Sequence, residues 1–181
     1  MLQLYIAGGE LFDQSTSEFI SVKPQILKLE HSLISLSKWE SKYHKPFLHS
    51  DKTNSELLDY IQCMTLNQNV DPTVYKFLTQ DHITKINDYI ADSMTATTFS
   101  EDPTQKKNRE IVTSELIYYW MSSYQLPVEF EKWHLNRLIT LIRVCGIKNQ
   151  PPSKKKSSQR DIAARYAALN KQRRAKYNSK G

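Results

Sequence analysis

The chain holds 181 residues, 39% of them hydrophobic and 24% charged, with four glycines. This length fits one domain plus an extension and can bury a sizeable core; the composition excludes disorder throughout, and the few glycines exclude a glycine-rich phosphate loop. The net charge of +6 conceals a split: residues 148–181 carry eleven Lys or Arg against one acid, Asp161, while residues 1–147 carry fourteen basic and eighteen acidic residues, the pattern of an interaction tail.

In chain order, Leu2 to Ile6 alternates as a strand, Gly8-Gly9 breaks the pattern, and Glu18 to Val22 resumes it. Gln25 to His31 reads as a third strand, with Ile26, Lys28 and Glu30 on one face and Leu27 and Leu29 on the other. Pro24 delays its start. A small hairpin or three-stranded sheet is expected over residues 1–31.

Helical signals follow. Ser32 caps a helix with Leu33, Ile34, Leu36 and Trp39 on its apolar side, ending near Tyr43-His44 before Lys45-Pro46. Thr53 and Glu56 form a capping box for a second helix, whose buried stripe is read as Leu57, Leu58, Ile61 and Met64. Asp71-Pro72 opens a short helix with Val74, Tyr75, Phe77 and Leu78. Thr79 precedes another, with Ile83, Ile86, Tyr89 and Ile90 three and four apart. Residues 93–107 read as a loop. Two longer helices are predicted, from about Asn108 to Tyr124 and from about Val128 to Cys145, with Gly146 as the stop. They complete a helical core domain over residues 32–147. A Pro, Ser and Lys-rich linker spans 148–157. Ser158 then caps a basic C-terminal helix within 158–181, reaching about Tyr177. The expected fold is mainly α: a helical domain with the small β element and a separate C-terminal basic helix.

Motifs for chemistry are missing. His31, His44, His49, His82 and His134 are scattered and read as surface or capping residues, so no metal site is expected. Neither cysteine has a catalytic setting, and Cys63 and Cys145, each within an apolar helical pattern, read as small buried core residues rather than a disulfide. Asp13, Glu18, Glu30, Glu101 and Asp102 are carboxylates that nothing pairs across a cleft. The expectation is no enzyme and no cofactor. Trp120 and Trp133 are assigned to the core, and Tyr118 or Tyr124 is open as a partner anchor. The opening MLQLYIAGGELF lacks a secretory pattern, and no stretch reaches the roughly 18 apolar residues needed to span a membrane.

The tail admits three readings. It can be a charged helix with no partner, a nucleic-acid contact driven by counterion release, or a partner helix. The last reading rests on a narrow stripe of Ile162, Tyr166, Leu169 and Tyr177 between Arg160, Arg165, Arg173 and Arg174, suited to an acidic, partly apolar helical surface.

Five core segments, EHSLISLSKWESKYHKPF (30–47), LLDYIQCMTL (57–66), MTATTFSE (94–101), NREIVTSELIYYWM (108–121) and KWHLNRLITLIRVC (132–145), together with the ending from Lys148, resemble tail assembly chaperones of long-tailed, siphovirus-like bacteriophages. The likeness runs from about residue 26 to the end. It implies a non-enzymatic protein that binds the tape measure protein and promotes polymerisation of the tail tube protein around it. It also implies action in the host cytoplasm during virion assembly and absence from the mature virion. Self-association and a frameshifted longer form, for which Lys154-Lys155-Lys156 would lie at a slippery run, fit the same resemblance. The alternative is a nucleic-acid-binding protein that uses the basic C-terminal helix.

Overall fold

The computed structural model describes residues 1–13, 17–99, 110–149 and 159–177, with the side chains of residues 13, 159–162, 165 and 175 outside that description. The chain divides into two units, Met1–Ile147 and Lys148–Gly181.

The first unit opens with four strands, one more than expected. Leu2–Ile6 (β1) pairs antiparallel with Gln25–Leu29 (β4), and Gly9–Asp13 (β2) pairs antiparallel with Glu18–Val22 (β3). They form two two-stranded sheets rather than one three-stranded sheet. Period-two alternation sends Leu4, Ile6, Leu27 and Leu29 into the core, while Tyr5 and Ile26 face each other on the outside. The ladder is interrupted at residues 7–8 and 23–24. Pro24 cannot donate there. Gly8 is required by close approach: a Cβ on it would lie 2.5 Å from Pro24 Cδ and 2.7 Å from the Val22 carbonyl oxygen. The dipeptide read as a break is therefore a joint between two ribbon segments. The far edge of β4 is closed by residues 64–67, where Leu66 N–H donates to the Lys28 carbonyl and the Asn67 side chain clamps Lys28 N–H and the Ile26 carbonyl.

Leu33–Tyr43 (α1) starts on Ser32, whose hydroxyl accepts from Ser35 N–H, and closes at His44 in the left-handed conformation. Asn54–Met64 (α2) carries the expected capping box of Thr53 and Glu56. The short helix behind Asp71 is a 3-10 helix, Pro72–Phe77. Gln80–Ala91 (α3) follows Thr79, with the His82 ring reaching back to the cap. Ser114–Ser123 (α4) is shorter than the predicted 108–124 helix. Residues 110–113 are not helical, because Thr113 is the cap and the Glu40 carboxylate accepts from Ser114 N–H at 2.7 Å. Asn108 lies outside the described residues, as does the part of the predicted loop beyond Phe99.

The helix predicted over 128–145 is two elements. Val128–Lys132 is a 3-10 helix, Trp133-His134 breaks it, and Leu135–Asn149 (α5) follows. The break has a cause: Leu135 N–H donates to the His31 carbonyl at 2.7 Å and His134 bridges to Ser32, which draws this backbone onto the start of α1. Gly146 does not stop the helix. It sits inside α5, where a Cβ would meet Tyr124 Oη at 3.1 Å, so it serves packing. Lys148 and Asn149 are accordingly helical rather than linker; positions 150–157 and the Ser158 cap lie outside the described residues.

The core is continuous from the strands through the helices, with Leu27, Leu36, Trp39, Met64, Ile117 and Leu138 fully buried. Residue-level expectations need correction. Leu57 and Leu58, read as part of a buried stripe, are 43% and 38% exposed. Cys63 and Cys145 are free but half-buried. Trp120 and Trp133 are also half-buried; Trp133 lies between Phe130, stacked at 3.9 Å, and the Arg137 guanidinium at 4.1 Å. Tyr118 donates to Glu131 at 2.9 Å; burial first, and then this carboxylate, raise its hydroxyl to about 12, whereas Tyr119 points to solvent.

In the second unit, Gln159–Tyr177 (α6) is a single helix rich in Ala, Arg, Gln and Lys, all strong helix formers.

Candidate functional site

The sequence places its candidate residues on α6. At 3.6 residues per turn, Ile162, Tyr166, Leu169 and Arg173 fall on one stripe, with Tyr177 a turn further along. Of these, Tyr166 is 64% and Tyr177 71% exposed, and Leu169 is exposed as well. Arg173 and Arg174 are exposed, and the Lys176 ammonium lies over the Tyr177 ring at 5.8 Å. The side chains of Arg160, Ile162 and Arg165 lie outside the described residues. Over α6 six basic residues oppose Asp161, so the helix offers a thin apolar seam in a strongly positive field. It can adhere to an acidic, partly apolar helix or to a phosphate backbone.

The folded unit adds a surface that the sequence reading missed. Between α2, the 3-10 helix Pro72–Phe77 and α3 lies an open groove of about 610 Å³. Leu57, Leu58, Tyr60 and Ile61 line it from α2 and Ile83, Ile86 and Ile90 from α3, with Phe47 and Tyr75 beside them. Lys52 and Lys76 line it, together with Asn54, Gln80 and Asn87, and among the described residues no carboxylate does. Lys52 is held by the Ser50 carbonyl at 2.9 Å and lies 4.3 Å from the Phe47 ring centre; burial lowers its pKa. Leu57, Leu58 and Ile61 span about 100° of the helix circumference, the width of an ordinary core-facing stripe, so their spacing did not announce the groove.

A third feature stands on the outer ribbon. Phe12 and Phe19 are cross-strand partners with ring centres 5.1 Å apart, and they are 53% and 74% exposed. Leu11 beside them is also exposed.

Two histidines expected at the surface are buried instead. His31 and His134 lie 5.1 Å apart ring to ring. His31 Nδ1 is 2.5 Å from the Tyr60 hydroxyl, and His134 Nε2–H donates to the Tyr89 carbonyl at 2.9 Å. The Tyr89 hydroxyl donates to Glu30, whose other oxygen meets the Met1 ammonium at 2.9 Å. Burial first, and then the neighbouring His134, push His31 down to about 3. The cluster ties the strands to α2, α3 and α5. Among the described residues no group of three His, Cys, Asp or Glu is placed to hold a metal, and no helix is long and apolar enough to cross a membrane.

No family model, curated protein or solved structure matches this chain.

Proposed function

We propose that this chain is a non-enzymatic tail assembly chaperone of a long-tailed bacteriophage, which binds the tape measure protein and promotes tail tube polymerisation around it. The observation that carries the reading is α6, a long basic helix with a narrow exposed apolar seam, in a unit distinct from the folded core. A tape measure protein, as the resemblance implies it, is a long helix that exposes apolar stripes until sheathed. A mostly solvated helix with exposed aromatics and arginines is suited to grip such a surface, and many copies along one partner turn weak contacts into avidity. In this division of labour α6 engages the tape measure and residues 1–147 recruit tube subunits. The site of action on this reading is the host cytoplasm, and the mature virion lacks the protein.

The test is co-purification with the tape measure protein. A chain ending at Gln150, and a full-length chain carrying Tyr166→Ala, Leu169→Ala and Tyr177→Ala, are both expected to lose capture. Undiminished capture by both refutes the assignment to α6.

The charge of α6 supports a second reading, binding of a nucleic-acid backbone. Neutralised phosphates give affinity that falls steeply with salt. Tight binding to arbitrary duplex DNA with that dependence, unaffected by the Leu169→Ala change, favours it over the chaperone.

A further inference from the structure

We propose that strand β2 is a docking edge for an extended, cationic segment of a different protein, which adds to the β2–β3 ribbon as a third strand. The site does not involve α6, so it stands or falls apart from the chaperone reading.

The backbone supplies the bonding groups. In a two-stranded ladder every second residue of each strand turns its N–H and C=O away from the other strand. The ladder runs without a bulge from the Gly9–Val22 pair to the Asp13–Glu18 pair. Among the described residues, no hydrogen bond outside this ladder involves the backbone of residues 9–13 or 18–22. β3 runs beside the 3-10 helix Pro72–Phe77, which leaves β2 as the outer edge. Edge strands are commonly guarded by lysine, proline or a bulge. Gly9-Glu10-Leu11-Phe12-Asp13 has none of these.

The side chains identify the occupant. Ile20 and Val22 pack on the core, so by the two-residue period Glu10, Phe12 and Phe19 stand on the outer face of the ribbon. Phe12 is exposed there, and Leu11 is exposed on the opposite face. A strand laid along β2 covers both at once, which a small ligand on one face does not. Glu10 and Glu18 are exposed, and among the described residues neither has an ion pair, with Lys23 or with any other cation. A second copy pairing edge to edge would set like charges together across the new ladder, which is destabilising. A strand with Lys or Arg beside Glu10 and an apolar residue two positions along, beside Phe12, satisfies both positions. The backbone bonds then give affinity, and the Glu10 and Phe12 positions give selectivity.

Capped synthetic heptapeptides and the full-length chain test this. The probe is a valine peptide with lysine and phenylalanine two positions apart. In fluorescence anisotropy it should bind, and bind more weakly with added salt. Glutamate in place of the lysine should weaken binding about three- to tenfold. Glu10→Lys, screened for folding by a thermal melt, should weaken the lysine peptide by the same factor and restore the glutamate peptide. Methylating the amide nitrogens of one alternate set of peptide residues should abolish binding, and methylating the other set should spare it, because only one set faces the edge. Hydrogen exchange should slow at residues 9–13 when the peptide is bound. No binding up to about 1 mM peptide, equal effects of the two methylation patterns, no rescue by the charge swap, or protection that arises elsewhere overturns the proposal. So does an unaltered chain that dimerises with residues 9–13 protected in the dimer.

Discussion

His31 and Glu40 show how single buried polar residues set the character of this fold. His31 is held at about 3, with burial the larger cause and His134 the smaller. The neutral ring is the native form, and the unfolded ring takes up a proton near its ordinary value of about 6.5. Between these values the unfolded chain binds the extra proton, so His31 withdraws stability as pH falls from about 6.5 toward 3. The slope is at most about 1.4 kcal/mol per pH unit. Denaturant midpoints taken across that range should show the loss, and His31→Gln should flatten it; an unchanged slope in the variant removes His31 as the cause. Glu40 is buried and accepts Phe47 N–H at 2.8 Å and Ser114 N–H at 2.7 Å. Glu40→Leu strands both donors and should cost about 2–4 kcal/mol, with Glu40→Gln recovering part because one oxygen remains. Neither role was legible in sequence. A lone histidine and a mid-helix glutamate look like surface residues until the backbone of a distant segment arrives beside them.

Local chemistry was far more readable at the level of elements. Ser32, Thr53, Asp71 and Thr79 each announce a start that the structure contains, because a cap acts within three residues and needs no tertiary partner. Failures fall where long-range contacts override local preference. The segment around Trp133-His134 has good helical spacing, yet its backbone bonds to the start of α1 and splits the helix. Strand β2 was lost because Gly8-Gly9 reads as punctuation, whereas Gly8 is the crossing point beneath Pro24. Gly8→Ala should therefore destabilise by about 1–3 kcal/mol, the range for overpacking. Gly9→Ala, where the new Cβ meets only Phe77 at 3.4 Å, should be much milder. Equal effects in a chemical melt would mean that the joint is not the reason for the glycine. The groove was not legible: the leucine pair at 57–58 was noticed, but a stripe read along one helix does not say which part its neighbours leave uncovered.

For the molecule as a whole, one core joins strands to helices. Leu4 on β1 and Leu138 on α5 belong to the same buried cluster. Leu4→Ala and Leu138→Ala should each cost about 2–5 kcal/mol and move one shared unfolding transition. If Leu4→Ala leaves the helical transition unmoved, residues 1–31 are a separate body. The charge split between residues 1–147 and 148–181 was plain from composition, since counting charges requires no geometry. The candidate residues on α6 were likewise legible as a pattern, since periodicity in an alanine-rich helix follows from spacing alone.

The gap in the ladder at Gly8 and Pro24 also partitions the motions of the ribbon. Fraying that begins at Phe12 and Phe19 meets no continuous row of hydrogen bonds by which to spread inward, so the distal segment can open while Leu4 and Leu27 stay packed. Amide protons of residues 10–12 and 19–21 should exchange with solvent much sooner than those of residues 4–6 and 26–28. On that expectation the exposed Phe12–Phe19 end gives way first, while Val22 and Ile20 hold the base of the hairpin against the core.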